Sequence, residues 1–203
     1  MALKKIIGIS LAAILIVSAL LVLPIHGEEA IYDSVIRLHV LANSDSDSDQ
    51  ALKLTVRDAV LEKTSTLLAD VKTRDEAEAI LRASLTEIAD VAARTVQEAG
   101  STESVAVALG FEEYPTRRYE NLAFPAGEYL SLRVMIGEAA GQNWWCVLFP
   151  PLCLSAATEK AEAEEAFLSA GLTDEQYRII TDSDGGKYKL RFKILELAEA
   201  LFG

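Results

Sequence analysis

The stretch RLHVLANSDSDSDQALKLTVRDAVL, Arg37 to Leu61, decides how the rest of the chain is read. Ile36, Leu38 and Val40 alternate with Arg37, His39 and Leu41, the period-2 pattern of a short strand with one apolar face. Beyond the Ser/Asp tract the period changes. Leu52, Val56, Ala59, Val60 and Leu67 recur at helical spacing, which predicts a helix from Asp49 to about Asp70. The tract between strand and helix is therefore either a ligand loop or a cap.

Asp45, Asp47 and Asp49 stand two apart, as the first ligands of an EF-hand calcium loop do. That loop also needs a glycine at its sixth position to turn the chain and a bidentate glutamate at its twelfth. Here Gln50 and Val56 occupy those places, and Lys53 brings a positive charge to the ninth. A second pair, Asp182 and Asp184, runs into Gly186 and Lys187 and fails in the same way. No metal is expected. Capping accounts for the tract: Ser and Asp side chains accept from the free N–H groups of a helix's first turn, and carboxylates there meet the positive end of its dipole. Ser48 or Asp49 is the expected N-cap, with Asn43 forming the turn before it.

Working outward, a second helix is expected to start at Thr73, with Thr73 and Glu76 as a capping box. Its stripe of Ala77, Leu81, Leu85, Ile88 and Ala92 ends at Gly100. The middle third reads as strands: Val105, Val107 and Leu109; residues 116–124; and Leu130, Leu132, Val134 and Ile136 alternating with Tyr129, Ser131, Arg133 and Met135. Gly137 to Asn143 reads as a loop, and Trp144 to Phe149 as the strand that completes a hairpin, stopped by Pro150-Pro151. Ala156 to Ala170 reads as a helix stopped by Gly171, Thr173 with Gln176 caps a further short turn, and Asp182 to Gly186 marks another turn. The segment from Lys187 fits both a strand and a helix, and an extended start leading into a C-terminal helix is the preferred reading. The fold class is α+β, an antiparallel sheet packed with helices and preceded by an N-terminal signal or transmembrane helix.

That N-terminal element is written in Lys4 and Lys5 followed by an apolar run from Ile6 to Ile25. Cleaved signal peptide and retained anchor both fit, with membrane contact through residues 4–25 in the second case. Either way residues 1–27 form the export segment and residues 28–203 a single exported domain. The exported part carries 17 basic and 31 acidic side chains, a net charge of −14, which argues against nucleic acid and anionic lipid as partners.

Cys146 and Cys153 are the two cysteines. Export favours a disulfide between them, whereas Pro150-Pro151 restricts the approach, and two buried thiols are the other reading. A zinc site is not expected from two cysteines and two histidines without a C-x-x-C pair. Among bases for nucleophilic catalysis, His39 is the realistic one, with Ser44 and Asp45 near in sequence but no G-x-S-x-G elbow. An extracytoplasmic hydrolase using His39 is the alternative function. Structure is the commoner use of a lone histidine beside an apolar strand face. In Gln142-Asn143-Trp144-Trp145-Cys146, adjacent tryptophans on a strand point to opposite faces. One can enter the core while the other meets a partner, or helices cover both.

The first stretch together with GEYLSLRVMIGEAAGQNWWCVLFPPLC, Gly127 to Cys153, resembles the stage II sporulation protein R family of endospore-forming bacteria. The resemblance covers most of residues 31–155. It implies a signalling protein rather than an enzyme, without cofactor or catalytic residues. Members are made in the forespore and exported to the space between forespore and mother cell. There they switch on a mother-cell membrane aspartic protease of the stage II GA type, which processes pro-sigma-E. The candidate partner contacts are Arg37, His39, Asn43 and Asp45 from the first block and Gln142, Asn143, Trp144 and Trp145 from the second.

Overall fold

Strand β1 (Ile36–Leu41) is buried from Ile36 to Val40, polar residues included. A strand buried on both faces belongs inside a sheet, and β1 lies there. The computed structural model describes residues 31–119, 122–151, 153 and 160–181. The expected export segment, the Asp182/Asp184 pair and the segment from Lys187 lie outside the described residues. No described helix is long and apolar enough to cross a membrane.

The main sheet has the order β2 (Val105–Tyr114), β5 (Gly127–Ile136), β1, β6 (Asn143–Phe149). β2 pairs with β5 and β6 with β1 in antiparallel fashion, whereas β1 and β5 run parallel. The architecture is α+β with a mixed sheet, which corrects the antiparallel expectation. It also corrects the hairpin: β1 inserts between β5 and β6. A parallel pair needs a long crossover, and the helices and β2 between β1 and β5 supply it. Periodicity reports which way side chains point, not which strand lies alongside. The segment read as one strand over 116–124 contains two short strands, β3 (Arg117–Tyr119) and β4 (Leu122–Phe124), paired antiparallel.

Helix α1 (Asp47–Leu67) starts two residues earlier than expected. Its N-cap is Ser46, whose hydroxyl accepts from the Asp49 N–H at 3.2 Å. The stripe read as one helix is two, α2 (Arg74–Ala83) and α3 (Leu85–Glu98). They part at Ser84, whose ψ of 6° departs from helix while its N–H still bonds the Ile80 and Leu81 carbonyls. Thr73 caps α2 by accepting from the Glu76 N–H at 3.3 Å. Glu76 reaches back to the Lys72 N–H rather than that of Thr73. These helices bury Leu52, Val56, Val60, Leu81, Ile88 and Ala92 against Ile36, Leu38, Val40, Leu130, Leu132 and Val134. Each of the Leu, Ile and Val side chains among them contributes about 1.5–3 kcal/mol.

On the sheet's other face a second cluster joins Val35, Tyr114, Phe124, Tyr129 and Val147 to Phe167 of α4 (Lys160–Ser169) and to Leu172, Tyr177 and Ile180. The last two belong to α5 (Asp174–Thr181). Gly171 adopts φ 92° just beyond α4, the left-handed turn that glycine tolerates.

The loop after β5 is bonded to the loop after β1. Ala140 and Gly141 donate their N–H groups to the Asn43 and Ala42 carbonyls at 3.2 and 2.9 Å. A Cβ on Gly141 would run into the Ser44 carbonyl. Gly141→Ala is accordingly expected to lower stability by about 1–3 kcal/mol, because backbone rather than a mobile side chain must give way. Urea unfolding measures this, and an unchanged midpoint would sink it. A disulfide links Cys146 to Cys153, with Cα atoms 5.4 Å apart.

Candidate functional site

Strand register lays the second sheet face out in rows. Gly110, Ser131, Arg37 and Val147 form one row, and Ala108, Arg133, His39 and Trp145 the next. The row beyond holds Ala106, Met135, Leu41 and Asn143. The second core cluster covers the end of the face that holds Tyr129, Ser131 and Arg37. The far end stays open: Ala106 and Asn143 are exposed, and Ala108, Arg133, Met135 and Trp145 are half-buried.

His39 is the centre of the open end. Its Nδ1 lies 2.9 Å from Oε1 of Glu112, and its Nε2 lies 2.9 Å from Oδ1 of Asn143. A protonated ring donates to both, while a neutral ring keeps Glu112 and meets the Asn143 NH2 once that amide is turned round. The imidazole also lies against the Trp145 indole, centroids 5.2 Å apart and tilted by 32°. The Arg117 guanidinium sits 3.6 Å from the centroid of the same indole. Glu112 stands two strands from His39, and small neighbours let its chain lie across the sheet: Gly110, Ser131 and Ala108 fill the positions between. Its Oε2 is buried and makes no hydrogen bond.

Arg37 supports this site from beneath, at 0% exposure. Its guanidinium carbon is 4.5 Å from the Tyr114 ring centroid, 5.1 Å from that of Phe124 and 5.2 Å from that of Tyr129. Nε donates to the Cys146 carbonyl at 3.1 Å and Nη2 to the Tyr119 hydroxyl at 2.8 Å. Among the described residues no carboxylate pairs with it, so aromatic faces and two neutral acceptors hold the charge. Burial pushes the Tyr114 hydroxyl far above the ordinary phenol range, and that hydroxyl bonds Ser131 at 2.7 Å. Burial also raises Tyr119, against the opposing pull of Arg37. Both phenols therefore face the guanidinium as neutral groups.

Asn43 and Asp45 brace the two loops. Asn43 accepts from the Glu138 N–H at 2.9 Å and donates to Asp49 at 3.0 Å, and Asp45 accepts from the Gln142 N–H at 2.7 Å. Lys53 closes the arrangement by donating to the Gln142 carbonyl at 2.9 Å. The Ser44 hydroxyl donates to Asp49 at 2.6 Å, so it makes no pair with His39. Two of the aspartates that resemble calcium ligands are thus spent, Asp49 on Ser44 and Asn43 and Asp45 on a backbone N–H.

Hydrogen bonds from Ser44 and then Asn43 hold the Asp49 carboxyl below the usual carboxylate value. A depressed folded value means that the stabilisation is present above the unfolded pKa and is lost as pH falls through the folded one. The stability gap between the wild type and Asp49→Asn is expected to close as pH drops from neutral through the carboxylate range. Thermal unfolding across that range checks this, and a gap that widens in acid would refute it.

The structure thus divides the candidate contacts. His39, Asn143 and Trp145 meet on the open face. Arg37 is interior, Asn43, Asp45 and Gln142 tie loops, and Trp144 turns to the helix side under Arg57, whose guanidinium carbon is 4.8 Å from its ring centroid. Sequence reasoning missed Glu112, Arg117 and Arg133. Arg133 was legible as a polar residue on the Ser131/Met135 face of its strand. Glu112 and Arg117 became neighbours of the site only through register and the placing of β3.

Both nitrogens of His39 are engaged, and an aromatic, cationic surface surrounds it. The fold and site define an α+β domain with a mixed sheet, one face of which is covered by helices and the other covered at one end and open at the other. The stage II sporulation protein R family matches residues 32–159. The chain is 42% identical over 139 residues to Stage II sporulation protein R of Bacillus subtilis (strain 168), covering 66% of this chain and 62% of that protein. It belongs to the stage II sporulation protein R family. The matched region spans less than two thirds of that relative's length. No solved structure matches the chain.

Proposed function

We propose that this protein is an exported sporulation signal that switches on a mother-cell membrane aspartic protease of the stage II GA type, which then processes pro-sigma-E. In this reading it acts without catalytic residues or a cofactor of its own, from the space between forespore and mother cell, whether secreted or held by residues 4–25. The observation that carries it is the family match over residues 32–159, which takes in both sequence blocks and every side chain of the open face. Activation without chemistry requires differential binding: the chain must hold the active arrangement of the protease more tightly than the resting one. A surface of Asn143 and Trp145, positioned by the buried His39 ring on the sheet, suits that task.

The test is co-expression of the full chain with the protease and its pro-sigma substrate. Processing is expected only when all three are present. Equal processing without the chain would overturn the proposal, as would turnover of a cell-wall or peptide substrate that His39→Gln abolishes while protease binding stays intact.

A further inference from the structure

The open face carries a charge pattern opposite to that of the chain. Residues 28–203 have a net charge of −14, yet along this face Arg133 and His39 stand with one carboxylate, Glu112, which His39 already engages. Arg117 adds a second guanidinium above Trp145. The Nε atoms of Arg117 and Arg133 are buried and make no hydrogen bond, and neither arginine forms an ion pair among the described residues. Elsewhere the guanidiniums of Arg57, Arg74 and Arg82 pair with Asp58, Asp75 and Glu78. Two half-buried arginines without a carboxylate partner among the described residues, in a chain rich in carboxylates, have the chemistry to seat an anion.

We infer that the open face docks an acidic segment of the protein that this chain activates, with its carboxylates seated by Arg117 and Arg133 on either side of the Trp145 and His39 rings. Charge complementarity with the two unpaired guanidiniums identifies the occupant. Arg133 and Trp145 occupy one row with β1 between them, so two strand spacings, about 9–10 Å, separate their backbones. That separation suits two carboxylates along an extended chain better than one compact phosphate. Space for such a chain is present: Ala106 and Ala108 keep the floor beside Arg133 low. The part of Trp145 that Arg117 and His39 leave uncovered supplies an apolar edge for a partner's aliphatic stem. The inference rests on the signalling reading above and names the chemistry of the contact.

The experiment titrates the full chain with a fluorescently labelled oligoglutamate peptide and reads anisotropy. Binding is expected, with about a tenfold loss of affinity for Arg117→Gln and again for Arg133→Gln, and none for Arg82→Gln. Arg117→Lys and Arg133→Lys, which keep the charge and the fold, should recover part of the loss. Equal binding by the double glutamine variant, equal binding of oligolysine, or no binding to the wild type would overturn the proposal. So would displacement of the peptide by stoichiometric inorganic phosphate, or a dimer of the free chain that Arg133→Gln dissolves. The two readings fail separately. If the folded double variant still switches on processing, the docking surface is wrong and the signalling role stands. If the wild type never switches on processing, the signalling role falls while the titration still decides the anion site.

Discussion

Arg37→Ala is expected to destabilise the protein by about 3–5 kcal/mol, a large fraction of the stability of a domain this size. The side chain fills the space among Tyr114, Phe124 and Tyr129, and its removal leaves a void lined by rings already fixed by their own contacts. Tyr114 and Tyr129 pack edge to face with centroids 5.7 Å apart, and Tyr129 holds the Pro125 carbonyl at 2.7 Å, so neither collapses inward freely. The Tyr119 hydroxyl and the Cys146 carbonyl lose their donor as well. Arg37→Met separates these causes. Methionine restores much of the volume and abolishes the buried charge, whose Nη1 has no partner to begin with. A loss of about 1–2 kcal/mol is expected, from the two acceptors left unpaired. Urea unfolding with unchanged m-values reads both. If methionine costs as much as alanine, the charge and its bonds hold the cage and the volume argument is wrong.

Arg37 also marks where sequence reading stops. Its place in an alternating strand was legible, and so was the apolar face formed by Ile36, Leu38 and Val40. A polar residue at that position nevertheless read as surface, because nothing local announces that Tyr114, Tyr119, Phe124 and Tyr129 will surround it. Those rings come from β2, β3, β4 and β5, and register alone assembles them. The same holds for the sheet. β5 and β6 each have the alternation of a strand and a short loop between them, so a hairpin was the economical reading. The decisive fact is that β1, about a hundred residues before β6, is buried enough on both faces to claim the place between them. The Ser/Asp tract shows what short-range chemistry does resolve. Testing Gln50 and Val56 against a calcium loop turned the reading to capping, and the error that remained was a shift of the cap to Ser46.

The two tryptophans supply the sharpest separation between fold and function, because one strand sends them to opposite faces. Trp144 packs on the helix side with Val40 across from it and Arg57 over its ring. Trp144→Ala is expected to cost about 2–3 kcal/mol of stability, less than a fully buried tryptophan because the ring is half exposed, and to lower processing only as far as folded protein is lost. Trp145 instead lies between the Arg117 guanidinium and the His39 ring on the open face. If that face is the contact with the protease, Trp145→Ala removes a hot-spot side chain worth about 2 kcal/mol of binding, or about thirtyfold in affinity. Processing of the pro-sigma substrate at limiting chain concentration should fall by that factor. The melting temperature should fall less than in Trp144→Ala, since the lost contacts are with partly exposed groups. Trp145→Phe should restore most of the activity, because a flat apolar surface against His39 is kept. Immunoblotting of the processed factor beside thermal unfolding of both variants gives the comparison. Should Trp144→Ala prove the more damaging to processing at equal folded protein, the contact lies on the helix side and the open face is not the signalling surface.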